Sequence, residues 1–92
     1  MTDQEQIFRG DEADSLLLNP IYRESIGRVR KGIIASMEQA ALGDRETHNR
    51  LVIALQLLGQ IEKNIKEIAE TGKLVKLQIE SRGAMNAIRG FR

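Results

Sequence analysis

The sequence predicts an all-α protein built on an antiparallel helical hairpin, and three observations carry that prediction. Apolar residues recur at steps of three and four through two long stretches, which is the period of one helix face. A Gly-Asp corner stands between those stretches, too short to let the two helices do anything but double back. Only three residues are aromatic (Phe8, Tyr22 and Phe91), so the apolar content rests on Ile, Leu, Val and Ala, a mix that suits helix seams better than a β-sandwich.

Residues 1–10 show no period and read as a flexible lead. Residues 11–18, Asp-Glu-Ala-Asp-Ser-Leu-Leu-Leu, fit two helical turns, with three acids at the start where the positive end of the helix dipole favours them. Asn19-Pro20 is a restart signal. Asn is a favoured N-cap, Pro at the first helical position loses no needed N–H, and the residue before Pro avoids the α region.

The first long helix is expected from Pro20 to about Leu42, with Tyr22, Ile26, Val29, Ile33, Met37 and Ala40 on one face. Gly43 then serves as the residue past the helix end and Asp44 as the next N-cap. The second long helix is expected from Arg45 to about Thr71, ended by Gly72. Leu51, Ala54, Leu58, Ile61, Ile65 and Ile68 follow a heptad-like pattern along it. Glu62–Lys66 and Lys63–Glu67 are spaced to pair on its outer side. Leu51–Leu58 is apolar nearly all round, and one antiparallel partner covers only one stripe of a helix. Val52, Ile53 and Leu57 point away from the seam and are assigned to an oligomer interface.

Residues 73–92 form a basic arm. Val75, Leu77 and Ile79 alternate with Lys76, Gln78 and Glu80, a period of two that reads as an extended or strand-like segment pairing with another copy. The competing reading continues the helix past Gly72 or starts a third helix at Lys73. The organisation is thus a lead over 1–10, a hairpin domain over 11–72 and an arm over 73–92.

The 92-residue chain is one domain, and a chain of this size buries only about 60–65% of its unfolded surface. It has no cysteine, hence no disulfide or thiolate metal site, and its single histidine, His48, reads as a solvated helical residue rather than a zinc ligand. No nucleophile motif, phosphate loop or zinc-protease motif occurs, so no catalytic, cofactor or metal residue is assigned and a non-enzymatic role is expected. No apolar run is long enough to span a membrane, and the acidic start does not suit a signal peptide, so a soluble intracellular protein is expected.

The net charge of +1 says nothing about partners, but its distribution does. Residues 1–19 carry a balance of −4 and residues 73–92 a balance of +4. Arg23, Arg28, Arg30 and Lys31 on the first long helix, and Arg82, Arg89 and Arg92 in the arm, are the candidates for contact with phosphates or an acidic protein. No aromatic residue interleaves with them, so base stacking is not expected.

Leu17-Leu18-Asn19-Pro20, then Asp44, His48, Leu51 and Leu55, and finally Gly72-Lys73-Leu74 resemble a group of small proteins encoded in tailed-bacteriophage genomes near the packaging and head genes. The likeness runs over residues 15–77. The hairpin, the glycine break and the strand-like Val75–Ile79 are also similar to the oligomerisation core of small terminase subunits, which form rings. That resemblance implies a homo-oligomer, with DNA and a large packaging motor subunit as further partners, acting in the host cytoplasm. It carries no catalytic residue. The alternatives are a structural virion component (head, portal or tail) docked through its C-terminal arm, and a module that binds a host protein.

Overall fold

The computed structural model describes the backbone of residues 1–89 and the side chains of residues 1–85. All regular structure among them is α-helical: α1 (Asp3–Leu18), α2 (Pro20–Gln39) and α3 (Arg45–Arg89).

α1 starts much earlier than the sequence reading placed it, and so absorbs most of the expected lead. Its start is a capping arrangement: the Thr2 hydroxyl accepts from the Glu5 backbone N–H at 3.1 Å, and Asp3 and Glu5 occupy the first turn. Gln6, Ile7, Gly10, Ala13, Asp14 and Leu17 turn inward at helical spacing. Asn19 then serves two helices. Its N–H closes α1 on the Leu16 carbonyl, and its side-chain oxygen accepts from the Tyr22 N–H at 3.0 Å to open α2. Its extended backbone, with ψ of 123°, is what the following proline requires.

α2 stops at Gln39, short of the expected Leu42, because Ala40 is already extended with ψ of 143°. The corner that follows is a turn in which the Asp44 N–H donates to the Ala41 carbonyl at 3.0 Å. No glycine among the described residues has positive φ, so Gly43 does not provide the left-handed helix end that its position suggested. Asp44 does cap α3, accepting from the Thr47 N–H at 3.1 Å and the Thr47 hydroxyl at 2.6 Å.

α3 runs 45 residues and passes through Gly72 without a break. The strand-like reading of Val75, Leu77 and Ile79 is therefore corrected in favour of the continued helix. Val75 and Ile79, four apart, turn toward the protein while Leu77 stays exposed, as a helix requires and a strand forbids. Glycine in a helix costs only about 1 kcal/mol against alanine, and here the missing side chain is used. A Cβ placed on Gly10 would stand 2.7 Å from the Gly72 Cα, and one on Gly72 would stand 2.7 Å from the Gly10 Cα and 3.0 Å from the Gln6 carbonyl oxygen. The backbones of α1 and α3 touch there, with Ala13 and Ala69 among the most buried side chains of the protein.

His48 lies against Ala41, Glu62 against Arg30 and Gly72 against Gly10, so α3 runs back first along α2 and then along α1. The contact with α1 is the tighter of the two, since α2 contributes no buried residue. The acidic start and the basic later part of the chain meet here, with Lys73 Nζ 3.5 Å from Asp14 Oδ1. The result is a rod of 75 × 25 × 19 Å with a radius of gyration of 20.7 Å. A compact chain of this length has about 12 Å.

Candidate functional site

The residues expected to carry interactions sort by helix face. On α2 the inward face holds Tyr22, Ile26, Ile33 and Met37, as the spacing predicted, with Ala40 half-buried just past its end, but Val29 lies outside that face and Arg30 takes its place. Arg30 reaches across to the Glu62 carboxylate in a half-exposed ion pair. Arg28 pairs one turn back with Glu24 at 3.3 Å. Arg23 and Lys31 are exposed with no ion pair among the described residues, and so is Arg82. The structure thus does not gather Arg23, Arg28, Arg30 and Lys31 into one patch. At about 100° per residue Arg23 and Arg30 share one face, Lys31 lies about 90° and Arg28 about 150° round from them, and two of the four are held by carboxylates. The Arg89 side chain and Arg92 lie outside the described residues.

Arg23, Arg30, Glu62 and Lys66 share one groove between α2 and α3 with Leu17, Leu18, Tyr22, Ile26 and Gly27. This groove opens over the junction of α1 and α2. The Tyr22 hydroxyl is buried with no hydrogen-bond partner among the described residues. His48 is not free, because its Nε2 lies 3.1 Å from the Ala41 carbonyl and ties the first turns of α3 to the corner. The Asp44 carboxyl is held below its ordinary value by the Thr47 hydroxyl and then by the Thr47 N–H. These are the duties of a cap. No cluster of three metal-ligating side chains occurs among the described residues, and none of their helices is long and apolar enough to cross a membrane.

The apolar surface is more informative. Ile53, Leu57 and Ile61 form an exposed stripe at four-residue steps along one side of α3, with Leu57 61% exposed. Val52, grouped with Ile53 and Leu57 from the sequence, is exposed as well, but it lies about 140° round the helix from Leu57 and belongs to another face. Of the three arm residues assigned to an oligomer interface, Val75 is buried and Ile79 half-buried on the α1 side, while Leu77 remains outside. Ile61, expected in the seam, is exposed, and Glu62 sits nearer the partner helix.

The α1–α3 crossing escaped the sequence reading, although a signal was present. Thr2 and Glu5 have capping-box spacing, and Gly10 and Ala13 repeat at helical spacing beneath them. Only the facing Gly72 gives those small residues a purpose.

Comparison of the chain with protein-family models, with curated proteins and with solved structures returns no match.

Proposed function

We propose that this chain is a non-enzymatic assembly protein that works as a homo-oligomer. One observation carries the reading: the helices leave the core open. Among the described residues the buried apolar side chains are Ala13, Leu58, Ala69 and Val75, and no side chain is completely enclosed. The accessible surface is 7449 Å², against about 5,400 Å² for a compact protein of this mass. Two helical layers with one shared seam do not make a stable core in water unless something covers the outer faces. We read the chain as an antiparallel hairpin whose first arm is broken at Asn19-Pro20 and whose second arm is α3.

The phage-like features quoted from the sequence suggest the setting, an assembly factor of a tailed bacteriophage acting in the host cytoplasm. A small terminase-like ring that binds DNA and regulates packaging is the most concrete form. In this chain such a ring would be joined through helices, because residues 75–79 are helical. Of the cations singled out in the sequence, Arg23, Lys31 and Arg82 are exposed and outside any ion pair among the described residues, and they would meet DNA or a motor subunit.

A second reading has its own observation. Residues 80–85 are exposed on every side of α3, which suits a virion component whose C-terminal helix docks on a neighbouring head, portal or tail protein.

Light scattering on the full-length chain over a concentration series tests the common premise, and a monomer throughout would end the oligomer reading. DNA retention that falls steeply with salt separates the two forms, because only the packaging form requires phosphate contacts. No loss of bound DNA on raising salt, or no binding at all, would exclude it.

A further inference from the structure

We propose that the side of the α2–α3 layer away from the Arg30–Glu62 pair seats a second copy of this chain, about a twofold axis parallel to the helices. The inference rests on the homo-oligomer reading and names the face and the geometry.

The two sides of the layer differ in chemistry. One groove carries Arg23, Arg30, Glu62 and Lys66. On the other side α3 presents Ile53, Leu57 and Ile61, all more than half exposed. Residues 51–61 contain no charged side chain. At about 100° per residue, the α2 positions on that same side are Val29, Gly32 and Ser36. All three are exposed, and a Cβ at Gly32 would meet nothing within 4 Å. The Ser36 hydroxyl donates to the Gly32 carbonyl at 2.9 Å, so its proton is already satisfied if water is removed.

The α2 stripe is shallow and the α3 stripe is bulky, and this shape selects the occupant. Arg30 stands level with Glu62 and Ala41 with His48. Val29, Gly32 and Ser36 therefore stand within about one helical turn of the levels of Ile61, Leu57 and Ile53. A twofold axis along the helices lays α3 of one copy over α2 of the other at unchanged level. Leu57 of each copy then meets Gly32 of its mate, and the same fit is made twice, as an isologous interface requires. Every helix of the resulting four has antiparallel neighbours, the arrangement of an up-down bundle. The stripe from Ile53 to Ile61 carries no charge, and Glu46 and Arg50, which continue it toward the start of α3, pair with each other, so two copies approach without net repulsion. The surface each chain exposes beyond a compact protein, about 2,000 Å², exceeds the roughly 800 Å² per partner of a stable interface.

The test is light scattering over a concentration series with the full chain, its Gly32→Leu variant, and the Gly32→Leu/Leu57→Ala double variant. Gly32 faces open space within its own chain, so Gly32→Leu should keep or raise helicity by circular dichroism. In the dimer the added side chain meets Leu57 of the mate, and the dissociation constant should rise about tenfold or more. Removing Leu57 makes room again, and the double variant should recover most of that loss. If the parent chain associates and Gly32→Leu leaves its association unchanged, the proposed face is wrong while the oligomer reading stands on another face. An odd-numbered closed assembly would also exclude the twofold. A parent chain that stays monomeric overturns both, and leaves the face to a foreign helix.

Discussion

At the scale of single residues, two glycines do opposite work from the others. Gly10 and Gly72 let two backbones meet, so a methyl group on either must push the helices apart. Gly72→Ala should therefore lower stability by about 1–3 kcal/mol, the ordinary cost of overpacking, despite its better helix propensity. Gly59 is exposed and faces open space, so Gly59→Ala should raise stability by about 1 kcal/mol or slightly less. Urea titration of the two variants checks the opposite signs. If both substitutions stabilise, the backbones do not touch.

Asp44 supplies a prediction in pH. Its folded carboxyl titrates below its ordinary value because Thr47 donates to it twice. A depressed carboxyl adds stability above its unfolded pKa, and that stability is lost as pH falls through the folded value. Asp44→Asn keeps an oxygen for the Thr47 N–H but cannot titrate. Between pH 5 and pH 2, a range set about the ordinary carboxylate pKa of roughly 3.9, the parent chain should lose more stability than Asp44→Asn. Parallel acid limbs in thermal melts of the two would contradict the assignment.

At the scale of elements, α3 is the organising piece. Its first half faces α2 and its second half faces α1, so it is one helix with two different partners. A chain ending at Gly72 would keep the α2 contacts and lose Lys73, Val75 and Ile79, which lie beside α1. In that truncated chain, amide exchange over residues 7–17 should approach that of an unpacked helix, while the slowest amides of residues 51–62 keep their protection. Equal protection of α1 in both chains would mean that Gly72 and the residues before it are enough.

At the scale of the whole molecule, length is already spent and width is not. A rod 75 Å long and 25 Å across that doubles side by side should hold its length and gain cross-section. Small-angle scattering of the full chain at rising concentration should therefore increase the cross-sectional radius and leave the maximum dimension near its starting value. Growth in length would instead indicate end-to-end joining through residues 80–89.

Much of this fold was legible in the sequence because its signals are local. The Asn19-Pro20 break, the Asp44 cap and the inward positions of α2 from Tyr22 to Met37 each depend on neighbours within a turn or two. The exposed Ile53 and Leu57 also followed from spacing, since a helix that is apolar all round outruns a single partner. Gly72 could not be read that way. Glycine ends a helix or admits a neighbour according to what lies across from it, and Gly10 is far away in sequence. The same holds for Val75 and Ile79, whose apparent alternation was overruled once α1 offered a surface at helical spacing, and for Arg30, which replaced Val29 at the seam because Glu62 waits on α3. Sequence by itself determined where α2 and α3 begin, most of the inward positions of α2, and that Ile53 and Leu57 lie outside the seam. Tertiary structure decided which helix covers which face, because that choice depends on backbone approach and charge pairing between residues that only the fold brings together.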